Sequence, residues 1–140
     1  MGFACHECFD TAVACAVDVS VENKRPKIHH VTVPLDCGTA INPLTVESQF
    51  QAGMSFGVSQ LVPKAAITLK DGYVEQSNFD CYAPPYIVDG PTTVDVHIVP
   101  STEKPSGCGE PSVPVISPAV VNTLSRLTGK RYRTLPLLTL

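Results

Sequence analysis

Residues 11–21 read TAVACAVDVSV and alternate strictly between apolar side chains and small or polar ones. The apolar positions that share one face are Val13, Cys15, Val17, Val19 and Val21. Because successive side chains of a strand point to opposite faces, this pattern predicts a half-buried β-strand.

The next segment predicts a neighbouring strand. Residues 22–26, ENKRP, are typical of a turn, and residues 27–35 return as a second strand that carries His29 and His30. Adjacent histidines on a regular strand point to opposite faces, so the two should not share one metal ion. We expect them to be solvated or paired across strands.

Helix signals flank the rest of the chain. Asn42 is placed to cap a first helix and Pro43 to occupy its first position. Residues 117–118, Ser-Pro, predict the start of a second helix, which Gly129 ends. The apolar stripe predicted for the first helix is Val46, Phe50, Met54, Val58 and Leu61.

A hairpin and a further strand lie between the two helices. Residues 66–70 and 73–76 flank Asp71-Gly72, a two-residue turn signal, and residues 92–99 alternate again. Together the elements predict an α+β fold in one domain, residues 1–140. Two helices should pack against an antiparallel sheet in two layers.

A second face of the first helix carries Gln49, Gly53 and Gly57. Glycine inside a helix costs about 1 kcal/mol, so the two glycines indicate the close approach of another backbone or of a ligand. A tight contact with the sheet and a ligand groove explain the pattern equally well. The amide of Gln49 could donate and accept hydrogen bonds in such a groove.

Composition excludes several functions. The 140 residues include 10 Lys and Arg against 13 Asp and Glu, a net charge of −3, which predicts no nucleic-acid partner. No apolar run approaches the roughly 18 residues of a membrane span. Residues 1–4, MGFA, lack the pattern of a signal peptide and name no compartment, so the location stays open between the cytoplasm and the periplasm of a bacterium.

The six cysteines include one C-x-x-C pair, Cys5 and Cys8. A structural zinc site needs a second ligand pair, an iron–sulfur cluster needs a longer cysteine series, and a thioredoxin-type motif needs a βαβ setting. None of these accompanies the pair, so a zinc or thiol-redox module is the weaker hypothesis. The spacing predicts six free thiols and no metal ligands.

Residues 106–111, SGCGEP, place Glu110 after two glycines and before a proline. Glycine lets the backbone approach a ligand closely, and Pro111 biases Glu110 away from helical geometry. A fixed carboxylate on an open loop is what a general base requires, although a solvated loop glutamate would give the same pattern.

These residues also carry a resemblance. In chain order, the similar positions near the end are residues 107–111, Pro114, residues 117–119, Asn122, residues 128–131 and residues 135–137. Upstream, the similar positions are residues 36–38, Asn42, Pro43, Gln49, Gly53, residues 78–79 and Tyr82. Over nearly its whole length the chain resembles the C-terminal portion of the molybdopterin-binding large subunit of the molybdenum hydroxylases, the xanthine dehydrogenase and aldehyde oxidase family. The subgroup it resembles most is the isoquinoline 1-oxidoreductase β subunit type.

The resemblance implies a function for particular residues. Glu110 would act as the general base that takes the proton from a hydroxyl group on molybdenum while an N-heterocycle or aldehyde is hydroxylated with oxygen from water. The cofactor would be molybdopterin, in a dinucleotide form. The residues that the resemblance places at this cofactor are Gln49, Gly53, Gly107, Cys108 and Gly109.

The chain departs from the family in length. Large subunits of the family are several times longer, and their other cofactor loops and their substrate funnel have no counterpart here. We therefore expect the remainder of a large subunit and a separate iron–sulfur subunit as partners, with no cofactor bound to this chain alone. Alone, the chain should be inactive and should form a homo-oligomer. The alternative hypothesis is a catalytically silent, free-standing fragment that serves as an interaction or orphan domain.

Overall fold

The computed structural model describes residues 1–137, and within that range the chain forms two sheets and two α-helices. The elements are β1 (Gly2–Cys8), β2 (Thr11–Glu22), β3 (Arg25–Asp36), α1 (Pro43–Gly57), β4 (Leu69–Lys70), β5 (Tyr73–Val74), β6 (Thr93–Ile98) and α2 (Val113–Thr128). The larger sheet has the strand order β1-β2-β3-β6, and β4 pairs with β5 in a small separate hairpin.

The predicted α+β fold is confirmed. Helix α2 packs on β1 and β2, and α1 packs on α2 and β6, so a helical layer covers the sheet. The sheet is mainly antiparallel, but its last strand departs from the prediction because β6 runs parallel to β3. Parallel neighbours need a long crossover connection, and here α1 and the segment that follows it supply one.

Strand β1 was absent from the predicted elements. It pairs with β2 along its whole length, from Gly2 opposite Val17 to Cys8 opposite Thr11. The turn between them places Phe9 and Asp10 at φ values of +53° and +60°, as a tight hairpin turn requires at both positions. The predicted hairpin at Asp71-Gly72 is confirmed, with strands of two residues each.

The core lies between the sheet and the helices. Strands β2 and β3 contribute the fully buried side chains of Val17, Val31 and Leu35. All five members of the predicted stripe are buried, but only Val46, Phe50 and Met54 lie on α1, since Val58 and Leu61 belong to the short 3-10 helix that follows it. Cys15 belongs to the same core, and burial raises the pKa of its thiol to about 12.

A β-bulge corrects the prediction for the two histidines. Val17 pairs with Val31, yet Val19 pairs with Ile28, so β3 contains one extra residue between the two pairs. As a result both histidines bind partners on the outer face of the sheet, and their predicted placement on opposite faces is wrong. His29 Nε2 lies 2.7 Å from Ser20 Oγ, and His30 Nε2 lies 2.7 Å from Asp95 Oδ2. The predicted pairing across strands is confirmed.

The first helix begins as predicted and the second does not. Asn42 caps α1, since its Oδ1 accepts a hydrogen bond from the backbone N–H of Thr45 at 3.2 Å. Helix α2 begins at Val113, four residues before the predicted start, and Pro118 lies inside it. Ser117 is buried in the second turn, where its hydroxyl donates to the carbonyl oxygen of Gly57 at 3.0 Å. Gly129 ends the helix with φ of +72°, as predicted.

None of the helices among residues 1–137 has both the length and the apolar character needed to cross a membrane.

Candidate functional site

The loop that contains Glu110 lies between β6 and α2. Gly109 and Glu110 are exposed, whereas Pro111 and Ser112, which lead into the helix, are buried. The backbone N–H of Val113 donates to the carbonyl oxygen of Glu110 at 2.9 Å. The glutamate therefore stands at the point where an exposed loop joins a buried helix start.

The hairpin turn between β1 and β2 holds the loop on one side. The hydroxyl of Thr11 donates to the carbonyl oxygen of Gly107 at 2.8 Å and lies 2.6 Å from the hydroxyl of Ser106. The N–H of Gly107 donates to the carbonyl oxygen of Phe9 at 3.0 Å. Thr11 is fully buried, so water does not compete for these hydrogen bonds.

The chain after β3 holds the loop on its other side. The N–H of Ser106 donates to the carbonyl oxygen of Cys37 at 3.0 Å. Thr39 binds the carbonyl oxygen of Glu103 twice, through its N–H and through its hydroxyl, each at 2.9 Å. The backbone that precedes Glu110 is thus tied to both the β1–β2 turn and the segment after β3.

The two glycines of the loop play different parts. A Cβ atom on Gly107 would lie 2.7 Å from Cβ of Phe9, so only glycine allows this approach. A Cβ atom on Gly109 would have no neighbour within 4 Å among residues 1–137. Gly107 is required for packing, and Gly109 presents bare backbone to open space.

The glycines of α1 contact the second helix. A Cβ atom on Gly53 would meet the hydroxyl of Ser112 and lie 3.2 Å from its Cβ, and one on Gly57 would lie 2.6 Å from the carbonyl oxygen of Val113. The tight contact proposed from the sequence is therefore made with α2 and not with the sheet. Gly53 is buried in this contact.

Ser112 stands out at the start of α2. It is fully buried, and its hydroxyl has no hydrogen-bond partner among residues 1–137. Burying an unpaired hydroxyl costs about 1–3 kcal/mol of free energy, and a hydrogen-bonding partner would remove this cost.

Gln49 is exposed on α1, one helical turn before Gly53. Gly53 packs on Ser112, which lies two residues after Glu110. Gln49 and Glu110 therefore belong to segments that contact each other. Within the described part of the chain, no hydrogen bond engages either side chain. Both therefore keep free polar groups at the surface.

The structure thus brings most of the predicted site residues to one region. Gly107, Cys108, Gly109 and Glu110 share the loop, Gly53 contacts Ser112 at its helical end, and Gln49 lies one turn of α1 before Gly53. The supporting residues Thr11 and Ser112 were not identified from the sequence. Thr11 lies on the same face of β2 as the buried valines. A polar residue on that inward face could have indicated a buried hydrogen bond.

The cysteines are all free thiols in the structure. Among residues 1–137, no group of three or more His, Cys, Asp and Glu side chains is arranged to hold a metal ion. Burial, together with the neighbouring thiol of Cys37, raises the pKa of Cys108 to about 11.

Comparison with known proteins identifies similar sequences. The molybdopterin cofactor-binding domain family matches residues 4–91, a range that includes Gln49 and Gly53 and ends before Glu110. The chain is 30% identical over 124 residues to a membrane-bound aldehyde dehydrogenase, named for pyrroloquinoline quinone, of Gluconacetobacter polyoxogenes. That match covers 87% of this chain and 16% of the relative.

A second relative and a solved structure extend the comparison. Isoquinoline 1-oxidoreductase subunit beta of Brevundimonas diminuta is 27% identical over 110 residues, which cover 79% of this chain and 14% of that protein. The crystal structure of the aldehyde oxidoreductase from Desulfovibrio desulfuricans superposes with a TM-score of 0.75 at 22% identity, covering 91% of this chain and 14% of that one. The chain thus spans about one sixth of the length of the proteins it matches.

The buried hydroxyl of Thr11 can be tested by isosteric replacement. We expect Thr11→Val to lower the free energy of unfolding by about 1–3 kcal/mol, because Ser106 and Gly107 lose a buried partner. Thr11→Ser keeps the hydroxyl and should recover most of the loss. Urea denaturation measures both, and Thr32→Val, at a half-buried strand position without such bonds, is the matched control. Equal stabilities for Thr11→Val and Thr32→Val would contradict this role.

The contact between the helices can be tested with a double-mutant cycle. Gly53→Ala should destabilise the fold by roughly 1–3 kcal/mol through overpacking against Ser112. Ser112→Ala removes an unpaired buried hydroxyl, so it should be neutral or stabilising and should restore part of the loss in the double variant. Gly109→Ala, which meets open space, should change stability by less than about 1 kcal/mol. Additive effects of Gly53→Ala and Ser112→Ala would refute the contact.

Proposed function

Because the chain belongs to the molybdopterin cofactor-binding domain family, we propose that it is the portion of a molybdenum hydroxylase that carries the catalytic base, Glu110. The observation that supports this role is an exposed carboxylate on a loop whose backbone is fixed from two sides. The complete enzyme would hydroxylate an aldehyde or an N-heterocycle with oxygen from water. The names of an aldehyde dehydrogenase and an isoquinoline oxidoreductase among the relatives support these substrate classes.

The residues on this side of the molecule fit molybdopterin, which combines a hydrogen-bonding pterin ring with a phosphate group. Gln49 offers an exposed amide that donates and accepts, as a pterin ring requires. Gly109 leaves its backbone open to an approaching group. Ser112 carries an unpaired hydroxyl at the start of α2, and the N-terminal end of a helix favours anions such as phosphate.

The five residues proposed to bind the cofactor divide into two groups. Gln49 and Gly109 are exposed and would touch the cofactor directly. Gly53, Gly107 and Cys108 are wholly or partly buried, and they would act by holding α2 and the loop in place. A dinucleotide form of the cofactor follows from the resemblance and stays a prediction.

The proposed chemistry of this chain is a proton transfer. When bound, the molybdenum cofactor supplies the two-electron oxidation of the substrate carbon. Glu110 accepts a proton on a carboxylate oxygen, and because no residue in the described range donates a hydrogen bond to that carboxylate, both oxygens stay available. The bonds to Thr11 and Cys37 hold the loop so that the carboxylate meets the proton at a fixed position.

The remainder of a large subunit and an iron–sulfur subunit that accepts the electrons are the proposed partners. The segment between α1 and β6 displays large apolar side chains, with Phe79 97% and Ile87 94% exposed. Large apolar side chains exposed to this degree are typical of interaction sites, which supports an occupant in the assembled enzyme. The same surface would serve the alternative, a catalytically silent fragment that acts as an interaction or orphan domain.

Replacing the proposed base tests the mechanism. In a complete subunit, we expect Glu110→Gln to keep the fold and the molybdenum content, and to lower turnover by the ~10²–10⁴-fold that loss of a general base produces. Gln49→Ala should instead lower the molybdenum content more than it slows the loaded molecules. Steady-state rates divided by molybdenum content separate the two effects.

The control for this experiment is Glu103→Gln, an exposed carboxylate of the same connecting segment whose side chain makes no hydrogen bond in the described chain. Its rate per molybdenum should match that of the unmodified enzyme. Turnover of Glu110→Gln within a few-fold of this control would rule out the proposed role.

The isolated chain should associate with itself. Its exposed apolar side chains between α1 and β6 and the outer edge of β1, to which no other strand of residues 1–137 pairs, both favour contact with a second copy. We expect a dimer or larger oligomer at micromolar concentration, measured by light scattering over a range of concentrations. The substitution Phe79→Ser together with Ile87→Ser should lower the mass. A monomer mass at every concentration would contradict this expectation.

A further inference from the structure

Two cysteines that are distant in sequence meet beside the Glu110 loop. Cys37 follows the last residue of β3, and Cys108 lies two residues before Glu110. The Cys37 thiol lies close enough to help raise the pKa of the Cys108 thiol. Both side chains pack into the same apolar core.

The backbone around the two thiols brings their segments together. The N–H of Ser106 donates to the carbonyl oxygen of Cys37 at 3.0 Å, and the sulfur of Cys108 lies 3.6 Å from the carbonyl oxygen of Ser106. Gly38, at φ of +68°, packs so closely on the carbonyl group of Lys104 that a Cβ atom would clash with it. Two short segments are therefore held side by side by main-chain contacts, with one thiol on each.

The C-x-x-C pair has no such geometry. Cys5 and Cys8 lie on strand β1, where three residues span roughly 10 Å and alternate side chains face opposite ways. A disulfide requires Cα atoms within about 7 Å of each other. Cys5 and Cys8 therefore cannot form a disulfide on this strand. The pair that the fold brings together is Cys37 and Cys108.

We propose that Cys37 and Cys108 form a redox-active dithiol site that is converted to an intramolecular disulfide by low-molecular-weight disulfides such as oxidised glutathione. The two thiols differ in access, since Cys37 is 2% exposed and Cys108 is partly exposed. The oxidant therefore meets Cys108 first, and Cys37 resolves the product.

The chemistry is two thiol–disulfide exchanges. The thiolate of Cys108 attacks one sulfur of the oxidant, forms a mixed disulfide and releases one reduced thiol. The thiolate of Cys37 then attacks the Cys108 sulfur, forms the Cys37–Cys108 bond and releases the second reduced thiol. Two electrons pass from the cysteines to the oxidant, and their two protons go to the two released thiolates.

Burial of the Cys108 thiol affects how fast the disulfide forms and does not determine how much of it is present at equilibrium. With the pKa of Cys108 raised to about 11, roughly one thiol in a thousand is a thiolate at pH 8, so the exchange is slow. The disulfide would tie the loop covalently to the end of β3, two residues before Glu110. This site goes beyond the proposed hydroxylase function and does not depend on it.

A redox titration of the full chain tests the site. The chain is equilibrated for hours with oxidised and reduced glutathione at varied ratio, quenched with acid, alkylated and mapped by mass spectrometry without reduction. We expect the Cys37–Cys108 peptide pair to appear at an oxidant ratio at least ~10-fold lower than any other intramolecular disulfide, with a loss of about 2 Da. Free thiols should fall from six to four before Cys15 reacts.

Variants of the pair identify the order of attack. Cys37→Ser should trap Cys108 as the mixed disulfide with glutathione, at least ~10-fold above its level in the unmodified chain. Cys108→Ser should leave Cys37 as a thiol. Cys81→Ser, which removes an exposed cysteine elsewhere, is the matched control and should leave the midpoint of the pair unchanged.

Several outcomes would overturn the proposal. They are a Cys5–Cys8 disulfide that forms first, a Cys108 that stays a thiol while exposed cysteines react, and a mixed disulfide on Cys108 that persists at every ratio. If circular dichroism shows that Cys37→Ser is unfolded, Cys37→Ala takes its place. The titration of the unmodified chain is decisive by itself.

Discussion

The hydroxyl of Thr11 is the contact through which sheet and loop are joined. Buried at the start of β2, it binds the hydroxyl of Ser106 and the carbonyl oxygen of Gly107, while the β1–β2 turn accepts the N–H of Gly107. The loop held in this way leads directly into α2, whose first residues pack on the glycines of α1. Together with the bonds that Cys37 and Thr39 make on the other side, this buried hydroxyl fixes the loop that carries the carboxylate and leads into α2.

Elements with a local signal were predictable from the sequence. The alternation of β2, the stripe of α1 and its Asn42 cap depend on residues a few positions apart, and the structure has all three. The motifs around Gly107–Pro111 and Gln49 indicated the molybdenum hydroxylase family, and the match of residues 4–91 confirms it. The exposed position of Glu110 also followed from the glycines and proline beside it.

Features that depend on distant contacts were not predictable. Strand β1 lacks apolar alternation and exists because β2 pairs with it. Helix α2 starts four residues earlier than predicted, so Ser117 lies within it and bonds to Gly57 of α1, while Pro118 is exposed. The bulge in β3 and the packing of Gly53 on Ser112 likewise depend on contacts with residues distant in sequence, which a local sequence pattern does not predict.

The parallel pairing of β3 with β6 has a consequence for how the chain folds. Both strands end at the same edge of the sheet, so the segments that follow them, with Cys37 on one and Glu110 on the other, meet there. The bond from Thr11 to Ser106 joins residues 95 positions apart. Contacts of such long range are entropically costly to close and form slowly, so we expect the hairpin β2–β3 to assemble first and the loop to settle last. A nascent chain emerging from the ribosome cannot complete this region until nearly all of residues 1–137 are available.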